Sequence, residues 1–184
     1  MHIIDLRPED LAAREQVAQL LVDIFPQAWP DMGAAGDEVN ASLAPDRVSR
    51  VAMDGQQAVV GWIGGIRQYD GHVWELHPLV VRQDRREQGI GRALVGDLEE
   101  RVRERHGLTV WLGTDDDADQ TTLSGVDLYS NVGAHIAGIR NLARHPYEFY
   151  QKLGYVIVGV LPDANGIGRP DIYMAKPVWR SGST

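Results

Sequence analysis

The sequence predicts an α/β (α+β) fold in which a mixed central sheet of six to seven strands is flanked by helices. Three observations carry that expectation. The apolar run Leu79-Val80-Val81 passes through a charged turn into Gly89-Ile90-Gly91, which opens an amphipathic helix. Ahead of it, apolar segments are separated by Asp54-Gly55 and Asp70-Gly71, and Asp-Gly between such runs is a strong hairpin signal. Behind it, Leu108-Thr109-Val110-Trp111-Leu112 is a continuous apolar run fit for a buried parallel strand reached by a helical crossover.

Taken in order, His2 to Leu6 alternates apolar and polar and reads as a strand. Pro8-Glu9-Asp10 suits a helix start, and Leu11, Val17, Leu20, Leu21 and Ile24 supply its apolar stripe to about Phe25. Pro26 to Gly36 reads as a loop, and Asp37-Glu38 opens a short helix ending before Pro45. Strands are expected over Val48–Met53, Ala58–Arg67 and Val73–Val81, with Gly61, Gly64 and Gly65 marking a bulge or a close backbone approach in the middle one. Pro78 lacks an N–H, so the third of these strands should be interrupted just before Leu79. A helix runs from about Gly89 to His106, with Ile90, Leu94, Leu98 and Val102 on one face. After the strand at 108–112 come Gly113, an acidic loop from Asp115 to Asp119, and a less regular stretch from Thr121 to about Arg144. His145-Pro146 should cap a helix over Tyr147–Lys152, closed by Gly154. Strands follow over Tyr155–Leu161 and Asp171–Lys176.

The length of 184 residues suits one domain, expected over 1–178, with 179–184 as a frayed tail. No run approaches a membrane span, and the first residues lack the basic start of a signal peptide, so a cytoplasmic location is expected. Without cysteine the chain can form no disulfide, thiolate metal site or cysteine acyl-enzyme. A formal net charge of −8 disfavours nucleic acid as a partner and favours a small cationic molecule, although it also aids solubility.

The stretch 79–94 has the composition of a diphosphate cradle. A helix start presents unpaired N–H groups and partial positive charge, Gly89 and Gly91 allow close backbone approach, and Arg86, with Arg82, Arg85 and Arg92 nearby, adds full charge. A dinucleotide fingerprint would need a further glycine where Leu94 stands, and a P-loop would need Gly-Lys-Ser/Thr.

Arg86-x-x-Gly89-x-Gly91 after an apolar strand resembles the acetyl-CoA signature of the Gcn5-related N-acetyltransferase (GNAT) family. Phe149-Tyr150-Gln151-Lys152-Leu153-Gly154-Tyr155 resembles a second element of that family, and the predicted order of elements matches its fold from end to end. The 35 residues between Thr114 and Tyr150, with Asp115, Asp116, Asp117, Asp119 and Asp127, followed by His145-Pro146-Tyr147-Glu148-Phe149-Tyr150, look like the aminoglycoside 6′-N-acetyltransferases within it.

The resemblance implies transfer of acetyl from acetyl-CoA, as co-substrate, to a primary amine of a small cationic acceptor. With no cysteine, direct attack in a ternary complex is the natural route. Backbone N–H groups of Gln88, Gly89, Ile90 and Gly91, with Arg86 and Arg92, are expected to hold the pyrophosphate, and Leu79, Val80 and Val81 to run beside the pantetheine arm. Tyr150 is expected to protonate the departing thiolate, with Tyr147 and Tyr155 off the motif position. Glu75, which shares a strand face with His77 opposite Trp74 and Leu76, is the expected base. Glu75 and His77 have no third ligand at recognisable spacing, so no metal is expected. Asp115 and Asp117 are expected to draw in the cationic acceptor, and Trp29 to stack on a sugar ring or pack on the core. Family members often form homodimers, which carries over as an expectation. A peptide amine, a polyamine, a non-catalytic acyl-CoA-binding module and a nucleotide-binding module are the alternatives.

Overall fold

The computed structural model describes residues 1–179. They form seven strands, five α-helices and three short 3-10 turns, divided between two compact units. One unit comprises Met1–Val110 and the residues from Val178 onward, and the other Trp111–Pro177. The expected tail falls mostly on 180–184, outside the described residues.

In the first unit, β1 (His2–Asp5), β2 (Arg47–Met53), β3 (Val59–Gln68) and β4 (Val73–Val81) pair antiparallel in that order. α1 (Leu11–Ile24) and α2 (Met32–Ala41) pack on each other, and α1 also packs on β3 and β4. Val17, Ala18, Leu20 and Leu21 of α1 enter the core with Val39, Val51 and Trp62. α2 starts at Met32 rather than at Asp37. The Asp31 carboxylate accepts the Ala34 N–H at 2.9 Å, an N-cap that begins the helix inside the segment read as a loop.

The glycines of β3 work on two fronts. α3 (Ile90–Glu104) lies across β2, β3 and β4. A Cβ on Gly61 would come within 3.0 Å of Leu94 Cδ1, and one on Gly65 within 2.7 Å of Leu98 Cδ1, so their absence lets the helix seat closely. A Cβ on Gly64 would collide with the His77 carbonyl oxygen. Here the register steps from Ile63 opposite Leu79 to Gly65 opposite Leu76, leaving His77 and Pro78 bulged against Gly64. The expected interruption before Leu79 is therefore a bulge in a strand that continues to Val81. Arg50, 8% exposed, ties α3 to the sheet by bonds to Asp97 at 2.6 and 3.0 Å, and reaches Asp5 at 2.6 Å.

In the second unit, β5 (Thr109–Asp115, entering from the first), β7 (Asp171–Pro177) and β6 (Val156–Leu161) are ordered β5-β7-β6, with β6 and β7 antiparallel. β5 runs to Asp115 instead of ending at Leu112, because the chain can pass close to β7. A Cβ on Gly113 would lie 2.5 Å from Asp171 Oδ2. Its residues alternate, Val110 and Leu112 buried and Thr109 and Trp111 half-buried, so it is not the strand buried on both faces that its apolar run suggested. The stretch read as irregular is anchored by the buried Leu123 and Leu128 and contains a 3-10 turn, Leu128–Ser130, and α4 (Val132–Ala137), capped by Asn131. α5 (Tyr147–Gln151) is closed by Gly154 at φ +90°.

Candidate active site

The cradle is a property of the backbone between β4 and α3. Gly89 precedes α3 at φ +82°, a left-handed conformation that glycine adopts without a Cβ penalty. The N–H groups of Gln88, Gly89, Ile90 and Gly91 find no acceptor among the described residues. Four successive free donors at the start of a 15-residue helix form a site for an anion. The side chains divide cleanly. Arg82 pairs with Asp84 at 2.7 Å, and Arg85 with Asp54 of the β2–β3 connection at 3.5 Å and Asp84 at 3.8 Å, so their charge is largely met by these carboxylates. Arg86 and Arg92 are exposed and make no ion pair among the described residues. Free N–H groups and two uncompensated guanidinium groups fit a diphosphate.

β4 leads into the cradle with alternating burial. Val80 is buried, while Leu79 and Val81 are half-buried. Glu75 and His77 share a half-buried face, opposite the buried Trp74 and Leu76. Gln68 Nε2 donates to Glu75 Oε2 at 2.7 Å and fixes the carboxylate from the neighbouring strand. Sequence alone gives no sign of this bond, because it depends on the β3–β4 register. Trp29 packs partly on the core, its ring 6.0 Å from that of His77 and 5.9 Å from that of Phe25.

Tyr150 lies on α5 in the second unit and is buried against Phe149 and Tyr155, with ring centroids 5.0 and 5.7 Å away. Burial pushes its phenol well above the ordinary range, so the hydroxyl holds its proton at neutral pH. A raised pKa excludes it as a base and also makes it a weaker acid than a free phenol.

The acidic segment separates into two kinds of carboxylate. Asp115, Asp117 and Asp119 are exposed, with Asp115 accepting Asn165 Nδ2 at 2.7 Å. Asp116, read with its neighbours as part of the acidic loop, is fully buried. It accepts the Gln120 N–H at 2.6 Å, the Thr121 N–H at 2.9 Å and the Thr121 hydroxyl at 2.6 Å. Burial pushes its carboxyl up, but the bonds from Thr121 and Gln120 outweigh this and hold it below the usual range. It is a loop clamp. His145, 2% exposed, sits nearby with Nε2 3.1 Å from the Asp115 carbonyl and Nδ1 3.2 Å from the Tyr147 N–H. Burial pushes its pKa down against the pull of the Asp115, Asp116 and Asp117 carboxylates, so it stays neutral. A groove of about 360 Å³ in the same unit is lined in part by Asp127, Tyr129, Asp163 and Ile167.

No cluster of three or more His, Asp or Glu among the described residues could hold a metal ion. No helix among them is long and apolar enough to cross a membrane.

The profile of the acetyltransferase (GNAT) family matches residues 14–133. The crystal structure of an aminoglycoside 6′-N-acetyltransferase complexed with coenzyme A is 45% identical, with a TM-score of 0.94 over 100% of both chains. That of the aminoglycoside 6′-N-acetyltransferase from Enterococcus faecium is 45% identical, with a TM-score of 0.92 over 100% of both. An aminoglycoside 6′-acetyltransferase type Ii is 39% identical, with a TM-score of 0.78 over 99% of this chain and 100% of that one. No curated protein sequence matches at a significant level. The expected α+β acetyltransferase fold and the dependence on acetyl-CoA both follow. The chain belongs to the acetyltransferase (GNAT) family and is an acetyl-CoA-dependent N-acetyltransferase.

Proposed function

We propose that the chain acetylates the 6′-amine of an aminoglycoside, within a single catalytic domain of residues 1–178. The observation that carries this reading is 45% identity over the full length of two aminoglycoside 6′-N-acetyltransferases. The exposed Asp115 and Asp117 support it, since a polyamino sugar carries several positive charges. Trp29, partly exposed beside His77, offers an aromatic face for a sugar ring.

Coenzyme A supplies the acetyl group as a thioester, which an amine attacks directly. Gln88, Gly89, Ile90 and Gly91 bind the pyrophosphate through their N–H groups, with Arg86 and Arg92 neutralising its charge. Leu79, Val80 and Val81 lie along the pantetheine arm. Glu75, oriented by Gln68, removes the proton from the ammonium, and Tyr150 Oη delivers one to the departing sulfur. The protein works in the cytoplasm, and as a homodimer it would sediment at twice its 20.4 kDa.

The test is thiol release from acetyl-CoA with an amine panel, scored by product mass. Aminoglycosides bearing a 6′-amine should turn over, and analogues with a 6′-hydroxyl should not. Faster turnover of a polyamine or a peptide amine would replace the acceptor assignment, and no turnover at all would favour a CoA-binding module.

A further inference from the structure

α5 is a helix of five residues and its N-cap, Pro146, has neither an N–H nor a capping side chain. The capping bond comes instead from the residue before it. His145 Nε2 faces the Asp115 carbonyl at 3.1 Å and must donate to it, which leaves Nδ1 bare to accept the Tyr147 N–H at 3.2 Å. The backbone of His145 is clamped as well. Its N–H donates to Asn141 Oδ1 at 2.8 Å, and its carbonyl accepts from Asn141 Nδ2 at 2.9 Å. One buried ring therefore joins the end of β5 to the first turn of the helix that carries Tyr150. We propose that His145 is a positioning residue for Tyr150, setting the rotation and depth of α5 so that the Tyr150 hydroxyl meets the departing sulfur. This rests on Tyr150 being the proton donor.

The arrangement explains why so short a helix can hold a reactive group. Five residues give almost no intrinsic helix stability, so the position of Tyr150 is set by its surroundings. Downstream, Gly154 and Tyr155 close the helix, the Tyr155 N–H donating to the Tyr150 carbonyl at 3.1 Å. Upstream, His145 contributes the side-chain acceptor for the Tyr147 N–H of the first turn. A protonated ring would donate at both nitrogens and lose its hold on Tyr147, so the neutral tautomer is required.

The experiment is a double-mutant cycle read by steady-state kinetics. His145→Ala should lower kcat about tenfold, a moderate share of the general-acid contribution, while the KM for acetyl-CoA stays within about twofold. His145→Asn keeps an acceptor near the Nδ1 position and should recover most of kcat. His145→Gln keeps a donor toward Asp115 but moves the acceptor away, and should not recover it. In a Tyr150→Phe background His145→Ala should cost less than about twofold, because both changes remove one proton delivery. Losses that multiply, or a His145→Ala protein with parental kcat, would overturn the proposal while leaving Tyr150 as donor. Parental kcat in Tyr150→Phe alone would remove the donor assignment and this inference with it. If His145→Ala does not fold, the Asn and Gln variants complete the same cycle.

Discussion

The proposed cradle in Met1–Val110 is built from backbone amides, whereas the proposed proton donor in Trp111–Pro177 is a side chain held by other side chains. Four free N–H groups follow from a glycine at φ +82° and a helix start, and any sequence that keeps those two features keeps the site. Tyr150 has no such guarantee. Its place depends on a five-residue helix, on His145 and on a loop clamped by the buried Asp116. A backbone site should fail only through glycine or through charge. A side-chain site should fail through residues that never touch substrate.

The largest effect expected is on chemistry in the second unit. Tyr150→Phe keeps the packing against Phe149 and Tyr155 but removes the proton. General acids contribute roughly 10²–10⁴-fold, and a thiolate is a fair leaving group, so kcat should fall about 100-fold with both KM values nearly kept. Parental stability in a thermal melt must accompany that loss. Turnover within about twofold of the parent would show that the side chain is only packing.

Much of this contrast was legible in the sequence, for a physical reason. Arg86-x-x-Gly89-x-Gly91 encodes backbone geometry locally, so the motif, the strand before it and the helix after it read off together. Gly61, Gly64 and Gly65 likewise announced close approach, although not that α3 and the bulged His77 are what approach. The start of α2 was misplaced because a single Asx cap at Asp31 outweighed the Pro/Gly-rich look of its surroundings. Asp116 and Asp117 are neighbours of one kind in sequence and opposites in burial, since only folding decides which carboxylate meets the Thr121 hydroxyl. Gln68 and His145 act through bonds between distant segments, and periodicity carries no trace of those.

A smaller effect, on stability, should separate the two acidic neighbours. Asp116→Asn loses a carboxylate satisfied by buried donors, and a group left without its partner costs about 1–3 kcal/mol in denaturant melts. Because the folded-state pKa of Asp116 is lowered, its contribution is fully present above the unfolded value of about 3.9 and is lost as pH falls through the folded value. The Asn variant should lack that share of the acid-side slope. An unchanged slope would place the acid sensitivity elsewhere.

The smallest effect concerns the exposed pair. Asp115→Asn with Asp117→Asn should raise the acceptor's KM a few-fold and flatten its dependence on salt, leaving acetyl-CoA's KM alone. Identical salt dependence in variant and parent would make these residues an ordinary solvated surface.

The division of labour itself is tested most directly by titrating coenzyme A calorimetrically into folded Gly89→Val and Tyr150→Phe proteins. Valine opposes the positive φ at residue 89 and crowds the free N–H groups, so Gly89→Val should lose measurable binding while Tyr150→Phe keeps the parental Kd within about twofold. Parental affinity in Gly89→Val, or its loss in Tyr150→Phe, would contradict the account.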